Sequence, residues 1–231
     1  MNIEEKSLNR YFDPMTSNRL TILSDFDNTV VHENVAQLLA EQFSSINVEE
    51  CRQRYREKKI TFKDYQEIIF AGVSAPQHTL KEYTQEHANI REGFIELVNY
   101  CRGGNICFNI VTLGLDFYVD AILEQYELTN IPSFAVATKF TSAGIEYSYP
   151  HGTPECAAWG NCKCSVLTRY RNNGSKIAYI GDGLSDACPA FKADYIFALG
   201  ALAEECEKRN KPYYPITTFF DVIQRLSDMG W

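Results

Sequence analysis

The run "LTIL" at 20–23 is apolar or β-branched throughout and leads straight into Asp25 and Asp27, which predicts a short buried strand over about 20–25 that delivers two carboxylates to its carboxyl end. Apolar residues then recur at helical spacing over 33–44, 48–58, 61–71, 77–88 and 91–102, before a second strand, "NICFNIV" at 105–111. A further helical pattern follows in "LDFYVDAILEQYEL", and "SFAVATKF" and "GIEYSY" alternate around "TSAG" as a hairpin does. After a loop rich in Gly and Cys come a helix from Lys163, a strand at 176–181, a helix near 185–193, the strand "YIFAL" and two terminal helices. Short apolar strands alternating with helices predict an α/β domain with a mainly parallel sheet.

One interval breaks that alternation. Between the first two strands lie about 80 residues of helical pattern, far more than a single crossover helix needs, which predicts an inserted helical unit entered near Val31 and left near Ile90. No linker composition marks its borders.

Composition narrows the function classes. The chain has 231 residues, 45% hydrophobic and 23% charged, an ordinary globular balance that suits one large domain or a core with an insertion. No run of about 18 apolar residues exists to span a membrane. The N-terminal "MNIEEKSLNRYFDPMTSNR" lacks the apolar centre of a signal peptide and reads as a polar arm, so a cytoplasmic location is expected. A net charge of -8 disfavours nucleic acid, and the densest basic stretch, "CRQRYREKK" at 51–59, has the spacing of a solvated helix face.

Eight cysteines are too few for a disulfide scaffold in a chain of this length. Cys51, Cys101, Cys107, Cys188 and Cys206 sit among apolar neighbours and are expected in the core. Cys156, Cys162 and Cys164 crowd into nine residues. Reduced thiols in a tight loop are the first reading there, ahead of a metal site with His151 as fourth ligand and ahead of a disulfide.

Ligands of parallel α/β sheets sit outside the carboxyl ends of the strands. Applied strand by strand, that rule gathers Asp25 and Asp27, Thr112 in "NIVTLG", and Asp182 with Asp186 in "GDGLSD" on one edge. Each motif alone has a plain structural reading as a turn, helix cap or strand end. Together they place carboxylates so close that each raises the other's pKa, and a hard divalent cation resolves the conflict. Oxygen donors with few histidines suit magnesium (Mg2+) over zinc.

The ordered series "DFDNT" at 25–29, "VTLG" around Thr112, Lys163, and "GDGLSD" at 181–186 resembles the four motifs of haloacid-dehalogenase-superfamily phosphatases and covers nearly the whole chain from Leu20 onward. The helical insertion is similar to the small cap of the phosphoserine-phosphatase-like branch. Within that branch, "CKCSVL" and "YIGDGLSDACPA" look closest to the subgroup of the 2-hydroxy-3-keto-5-methylthiopentenyl-1-phosphate phosphatases and the phosphoethanolamine/phosphocholine phosphatases. The resemblance implies a Rossmann-like α/β core over 1–32 and 91–231, with a helical cap over 33–90. It implies Asp25 as nucleophile forming an aspartyl-phosphate and Asp27 as general acid and base. Magnesium would be held by Asp25, the Asp27 carbonyl and Asp182, and the phosphoryl group by Thr112, Leu113, Gly114 and Lys163. Thr29 would buttress the loop, and Asp186 would reach the metal through water or orient Lys163; Lys176 is the alternative lysine. The branch usually has Ser followed by two glycines where this chain has Thr112, Leu113 and Gly114, a departure that bears on pocket shape.

The implied partner is a small phosphorylated metabolite, such as phosphoserine, a methionine-salvage ketose phosphate, phosphocholine or phosphoethanolamine, handled by a monomer or homodimer. A phosphotransferase or mutase using the same aspartate, and a non-catalytic module binding a phosphometabolite, are the competing readings; the presence of Asp27 argues against the second. Glu33, Arg54, Arg56, Lys59, Lys63 and Phe70 are the cap residues considered for the pocket, although for any one of them a solvated or core position is the commoner fate.

Overall fold

A computed structural model describes residues 19–231, so the polar arm expected before the first strand lies outside the described residues. The strand β1 (Leu20–Ser24) is followed by α1 (Val35–Phe43), α2 (Val48–Arg56), α3 (Phe62–Ala71), α4 (Gln77–His87) and α5 (Phe94–Gly103). Next come β2 (Cys107–Leu115), α6 (Asp116–Gln125), and the hairpin β3 (Ser133–Thr141) and β4 (Gly144–Ser148). The chain ends with α7 (Lys163–Asn172), β5 (Lys176–Gly181), α8 (Ala187–Ala190), β6 (Tyr195–Ala198), α9 (Gly200–Lys208), β7 (Tyr214–Pro215) and α10 (Phe219–Asp228).

The seven strands form one sheet in the order β4-β3-β2-β1-β5-β6-β7, parallel throughout except for the antiparallel β3–β4 edge pair. This is the α/β architecture expected from the alternating pattern. β1 lies at the centre, with Ile22 opposite Phe108 on one side and Ala178 on the other, and every one of its residues is buried. Helices cover both faces, and this double burial is why β1, β2 and β5 read as continuous apolar runs. Among the described residues no helix is long and apolar enough to cross a membrane.

Three elements depart from the sequence reading. β2 runs to Leu115, so Thr112 lies inside the strand, at an irregularity between Val111 and Leu115 that breaks its register with β3. The helix expected near 185–193 is a 3-10 turn (Leu184–Asp186) followed by the four-residue α8, because Asp186 turns back to accept the Asp182 and Gly183 N–H groups. The two-residue β7 is too short to give any periodic signal.

Of the five helices between β1 and β2, α1–α4 precede Ile90 and α5 follows it. The chain leaves β1 and returns to the sheet through one narrow neck, where Val31 bridges Ile90 and the His32 and Arg91 N–H groups donate to the Asn89 and Val30 carbonyls. Three of these helices begin at side-chain caps, Asn34 for α1, Asn47 for α2 and Thr61 with Asp64 for α3, each satisfying N–H groups that a helix start leaves unpaired.

Candidate active site

Ser24 ends β1, and the chain turns sharply at 25–31 to feed α1. The Asp25 N–H still donates to the Ile180 carbonyl of β5 at 2.9 Å, which places the Asp25 side chain at the sheet's carboxyl edge. Its Oδ1 accepts the Phe26 N–H at 2.8 Å. Phe26 is fully buried against Tyr118, and Asn28 takes the left-handed conformation (φ 55°) that asparagine tolerates better than most residues. Arg91, which the sequence did not flag, clasps this turn by donating to the Thr29 and Asn28 carbonyls at 2.9 and 2.7 Å.

Asp27 is held from two sides. Its Oδ1 accepts the Val35 N–H at the start of α1 at 2.7 Å, and its Oδ2 accepts the Tyr118 hydroxyl at 2.9 Å. Burial pushes its carboxyl up to about 6, and these two bonds limit the rise. Tyr118 comes from the first turns of α6 and was missed because an aromatic at helical spacing reads as core. Gly114 makes room for it: a Cβ there would overlap the Tyr118 hydroxyl and stand 2.9 Å from Asp27 Oδ2.

Lys163 opens α7, the end where the helix dipole disfavours a cation. Its buried ammonium is kept there by carboxylates, Asp186 Oδ1 at 2.6 Å and Asp25 Oδ1 at 2.8 Å. Burial opposes its charge, but Asp186 and Asp25 outweigh that and hold its pKa above the usual lysine value. Asp186 is fully occupied: Oδ1 also accepts the Tyr179 hydroxyl at 2.6 Å, and Oδ2 accepts the two backbone N–H groups of its own turn. Burial would raise Asp186, yet Lys163 and these bonds bring it below the ordinary carboxylate value. Of its two expected roles, the geometry is that of orienting Lys163. Lys176 lies at the far end of β5, exposed, over the Trp231 ring, and is remote from the cluster.

Asp182 follows β5, and Thr29 donates its hydroxyl to Asp182 Oδ1 at 3.2 Å. Thr112 is buried, its Oγ1 accepting the Gly114 N–H at 2.9 Å, while the Leu113 carbonyl accepts the Gln66 amide of α3 at 3.1 Å. Asp25, Asp27, Thr112, Leu113, Gly114, Lys163 and Asp182 all line one cavity of about 400 Å³. Its outer wall comes from α2 and α3, with Arg52, Arg56, Tyr55, Phe62 and Tyr65, and from Trp159 in the Gly/Cys loop. The Phe62 and Trp159 rings stand 5.7 Å apart, and the Lys63 N–H donates to the Ala158 carbonyl, so the inserted helices and the sheet domain meet along this wall.

Of the cap residues considered from sequence, only Arg56 lines the cavity. Phe70 is in the core, Glu33 binds Asn89, Lys63 covers the Tyr149 ring, and Arg54 and Lys59 face outward. The cysteines also differ from expectation. Cys188 is exposed and Cys107 only partly buried, and the crowded trio is divided, Cys162 facing Cys156 and Cys164 facing Cys188.

Carboxylate oxygens of Asp25, Asp182 and Asp186 lie within 4.8 Å of one another, the only such group of possible metal ligands among the described residues. Burial and the Asp186 charge push Asp182 up to about 6 and hold Asp25 well above the ordinary value despite Lys163. Three converging carboxylates thus face one ammonium. A donor set of oxygens alone, with negative charge in excess, fits a hard divalent cation. Since Asp186 has no bond to spare, Asp25 and Asp182 are the carboxylates free to take part.

The family model described as "Putative Phosphatase" matches residues 20–198. A 2-hydroxy-3-keto-5-methylthiopentenyl-1-phosphate phosphatase of Lysinibacillus sphaericus is 30% identical over 217 residues, covering 90% of this chain and 94% of that protein. The protein of the same name from Brevibacillus brevis is 28% identical over 216 residues, covering 92% and 97%. Among solved structures, a phosphoserine phosphohydrolase-like protein from Francisella tularensis superposes with a TM-score of 0.65 at 19% identity, covering 88% of this chain and 98% of that one. A phospho-aspartyl intermediate analogue of phosphoserine phosphatase does so with a TM-score of 0.61 at 20% identity, covering 81% and 90%. The family model spans every strand end that carries the carboxylates, and the chain belongs to this phosphatase family, a phosphoric monoester hydrolase with a haloacid-dehalogenase-like fold.

Proposed function

We propose that the protein hydrolyses a small phosphate monoester through an aspartyl-phosphate on Asp25. The observation that carries this reading is the Lys163 ammonium, held 2.8 Å from Asp25 by a buried Asp186 that is itself fixed by Tyr179 and its own turn, so that a cation waits beside a carboxylate at the cavity floor. An Asp25 oxygen attacks phosphorus in line with the departing ester oxygen, splitting one difficult displacement into two easier ones. Lys163, the Thr112 hydroxyl and the Leu113 N–H bind the phosphoryl oxygens, joined by the Gly114 N–H when it exchanges Thr112 Oγ1 for phosphate. Asp27, raised to about 6, gives its proton to the leaving alkoxide and then takes one from the water that attacks the aspartyl-phosphate, releasing phosphate and restoring Asp25.

Magnesium held by Asp25, Asp182 and the Asp27 carbonyl would neutralise the carboxylates and polarise the phosphoryl group. Asp186 positions Lys163, and Thr29 positions Asp182.

The leaving group faces the outer wall. Among the described lining residues that wall offers Arg52, Arg56, four aromatic rings and neutral amides, with no carboxylate beyond those at the floor. An ammonium-bearing leaving group therefore has no carboxylate counter-charge there, which weighs against phosphoserine and phosphoethanolamine, whereas the trimethylammonium of phosphocholine would still find aromatic faces. A neutral, partly apolar chain fits better, in keeping with the methylthio ketose phosphate named for the relatives, since a thioether packs well on aromatic edges. We further propose that residues 33–90 act as a cap whose closure excludes water during turnover.

The test is hydrolysis of p-nitrophenyl phosphate with magnesium, followed by a panel of alkyl phosphate esters. Asp25→Asn should lose on the order of 10³-fold or more in kcat. Retention of full activity by that variant ends the reading, and preference for the amine esters by kcat/KM ends the substrate assignment alone.

A further inference from the structure

We propose that Cys164 and Cys188 form a peroxide-responsive dithiol whose oxidation clamps α7 to α8 and slows the enzyme. Their sulfurs lie 3.1 Å apart, although 24 residues separate them. Cys164 directly follows Lys163, and Cys188 lies two residues after Asp186. The pair therefore joins α7 to α8, next to the ion pair between Lys163 Nζ and Oδ1 of Asp186, the residue that precedes α8, whose 2.6 Å contact sets the lysine beside Asp25.

The two thiols differ in access. Cys188 is exposed to solvent, whereas Cys164 is buried beneath it, so an oxidant meets one sulfur while the other waits within reach. The Lys192 ammonium interacts with both sulfurs, while burial pushes the Cys164 thiol up to about 12, so Cys164 waits as a protonated resolving thiol. Neither cysteine lines the cavity, and neither belongs to the machinery proposed above.

The chemistry balances with a hydroperoxide as oxidant. The Cys188 thiolate attacks the peroxide oxygen and breaks the O–O bond, giving a sulfenic acid, and the leaving hydroxide or alkoxide takes up the thiol's proton to depart as water or an alcohol. The Cys164 thiol then attacks the Cys188 sulfur and gives its proton to the departing hydroxide, so the S–S bond forms and water leaves. Two thiols lose two hydrogens and one peroxide is consumed. A disulfide needs its sulfurs at about 2.05 Å, so closure draws the first turn of α7 toward α8 by up to about 1 Å. A shift of that size at a positioning group is enough to cost on the order of 10²-fold in turnover.

Tryptic digestion separates this pair from its neighbour. Cleavage after Lys163, Arg169, Lys176 and Lys192 puts Cys164 in peptide 164–169 and Cys188 in peptide 177–192, while Cys156 and Cys162 share one peptide, 140–163. The full chain is treated with hydrogen peroxide, mapped under non-reducing conditions, and assayed before and after dithiothreitol. The expected result is a cross-linked 164–169/177–192 species 2 Da below the sum of its reduced parts, with turnover lowered at least tenfold and restored by the reductant. Cys188→Ser should keep the reduced enzyme's turnover and lose that response. The proposal is overturned by failure of the cross-link to form, by full cross-linking with unchanged turnover, by undiminished peroxide sensitivity in Cys188→Ser, or by zinc found bound to these thiols in the purified protein. The peptide map stands whether or not the chosen ester is a substrate, so a wrong reading of the phosphatase site is distinguishable from a wrong reading of the thiols.

Discussion

Lys163 touches two carboxylates and almost no water, and its removal should be felt in stability as well as in turnover. Lys163→Met leaves Asp25 and Asp186 buried without their cation, which should cost about 3–5 kcal/mol by chemical denaturation. Lys176→Met, on the exposed lysine over Trp231, should stay within about 0.5 kcal/mol. Equal effects from the two would refute the assignment of the buried cation. Tyr118→Phe isolates a second pair. The tyrosine hydroxyl lowers the Asp27 carboxyl, so losing it lifts that group further above about 6 and lets it hold its proton to higher pH. With an alkyl ester, whose leaving group needs that proton, the alkaline fall of kcat/KM should move to higher pH; a profile that moves the other way excludes Asp27 as the acid. Both lysine sites carry the same letter in the sequence. Only the folded chain shows which ammonium is walled in by acids.

At the scale of the element, α10 shows how much a single acid can contribute. Phe219, Val222 and Leu226 form its buried stripe, with Phe219 against Phe94 at 5.3 Å, and this spacing made the helix readable from sequence. Its start is capped by Asp221, which accepts the Thr217 and Thr218 N–H groups at 2.8 and 2.9 Å; these bonds, Thr218 first, lower its pKa. Asp221→Ala should therefore cost about 1 kcal/mol at neutral pH. Because the folded pKa lies below the unfolded value, this contribution is present above the unfolded value and lost as pH falls through the folded one. The difference in Tm between variant and parent should accordingly shrink in acid, and a constant difference would exclude the charged cap. Periodicity revealed nearly every long element. It failed at 184–190, where the backbone follows the bonding needs of Asp186 and no apolar stripe exists to be read.

For the whole molecule, the converging carboxylates make stability depend on pH and cation together. Asp182 has a folded pKa raised to about 6, so without a divalent cation its contribution favours the fold at low pH and is lost as pH rises from about 4 through 6. Added magnesium should raise Tm at pH 7, and Asp182→Asn should remove most of that gain; an equal gain in the variant would put the cation elsewhere. The inserted helices meet the sheet domain where Phe62 packs on Trp159, beside the cavity mouth. In a Trp231→Phe background the emission of Trp159 should change when vanadate, a phosphate mimic, inhibits the enzyme. Inhibition with no change in emission would count against closure of the cap.

The sequence by itself determined the α/β alternation, the long helical interval after the first strand, and the order of the acidic and hydroxyl groups, since strand and helix periods and residue type are local properties. It also carried the family through "DFDNT" and "GDGLSD". Tertiary structure decided what depends on distance between remote segments. It brought Tyr118 to Asp27, Tyr179 to Asp186, and Arg91 to the turn after β1, and it chose the aromatic wall in place of most of the charged residues first considered. Aromatic and basic residues at helical spacing look the same in sequence whether they fill a core, face solvent or line a pocket, because only the packing of one element on another settles which face is covered.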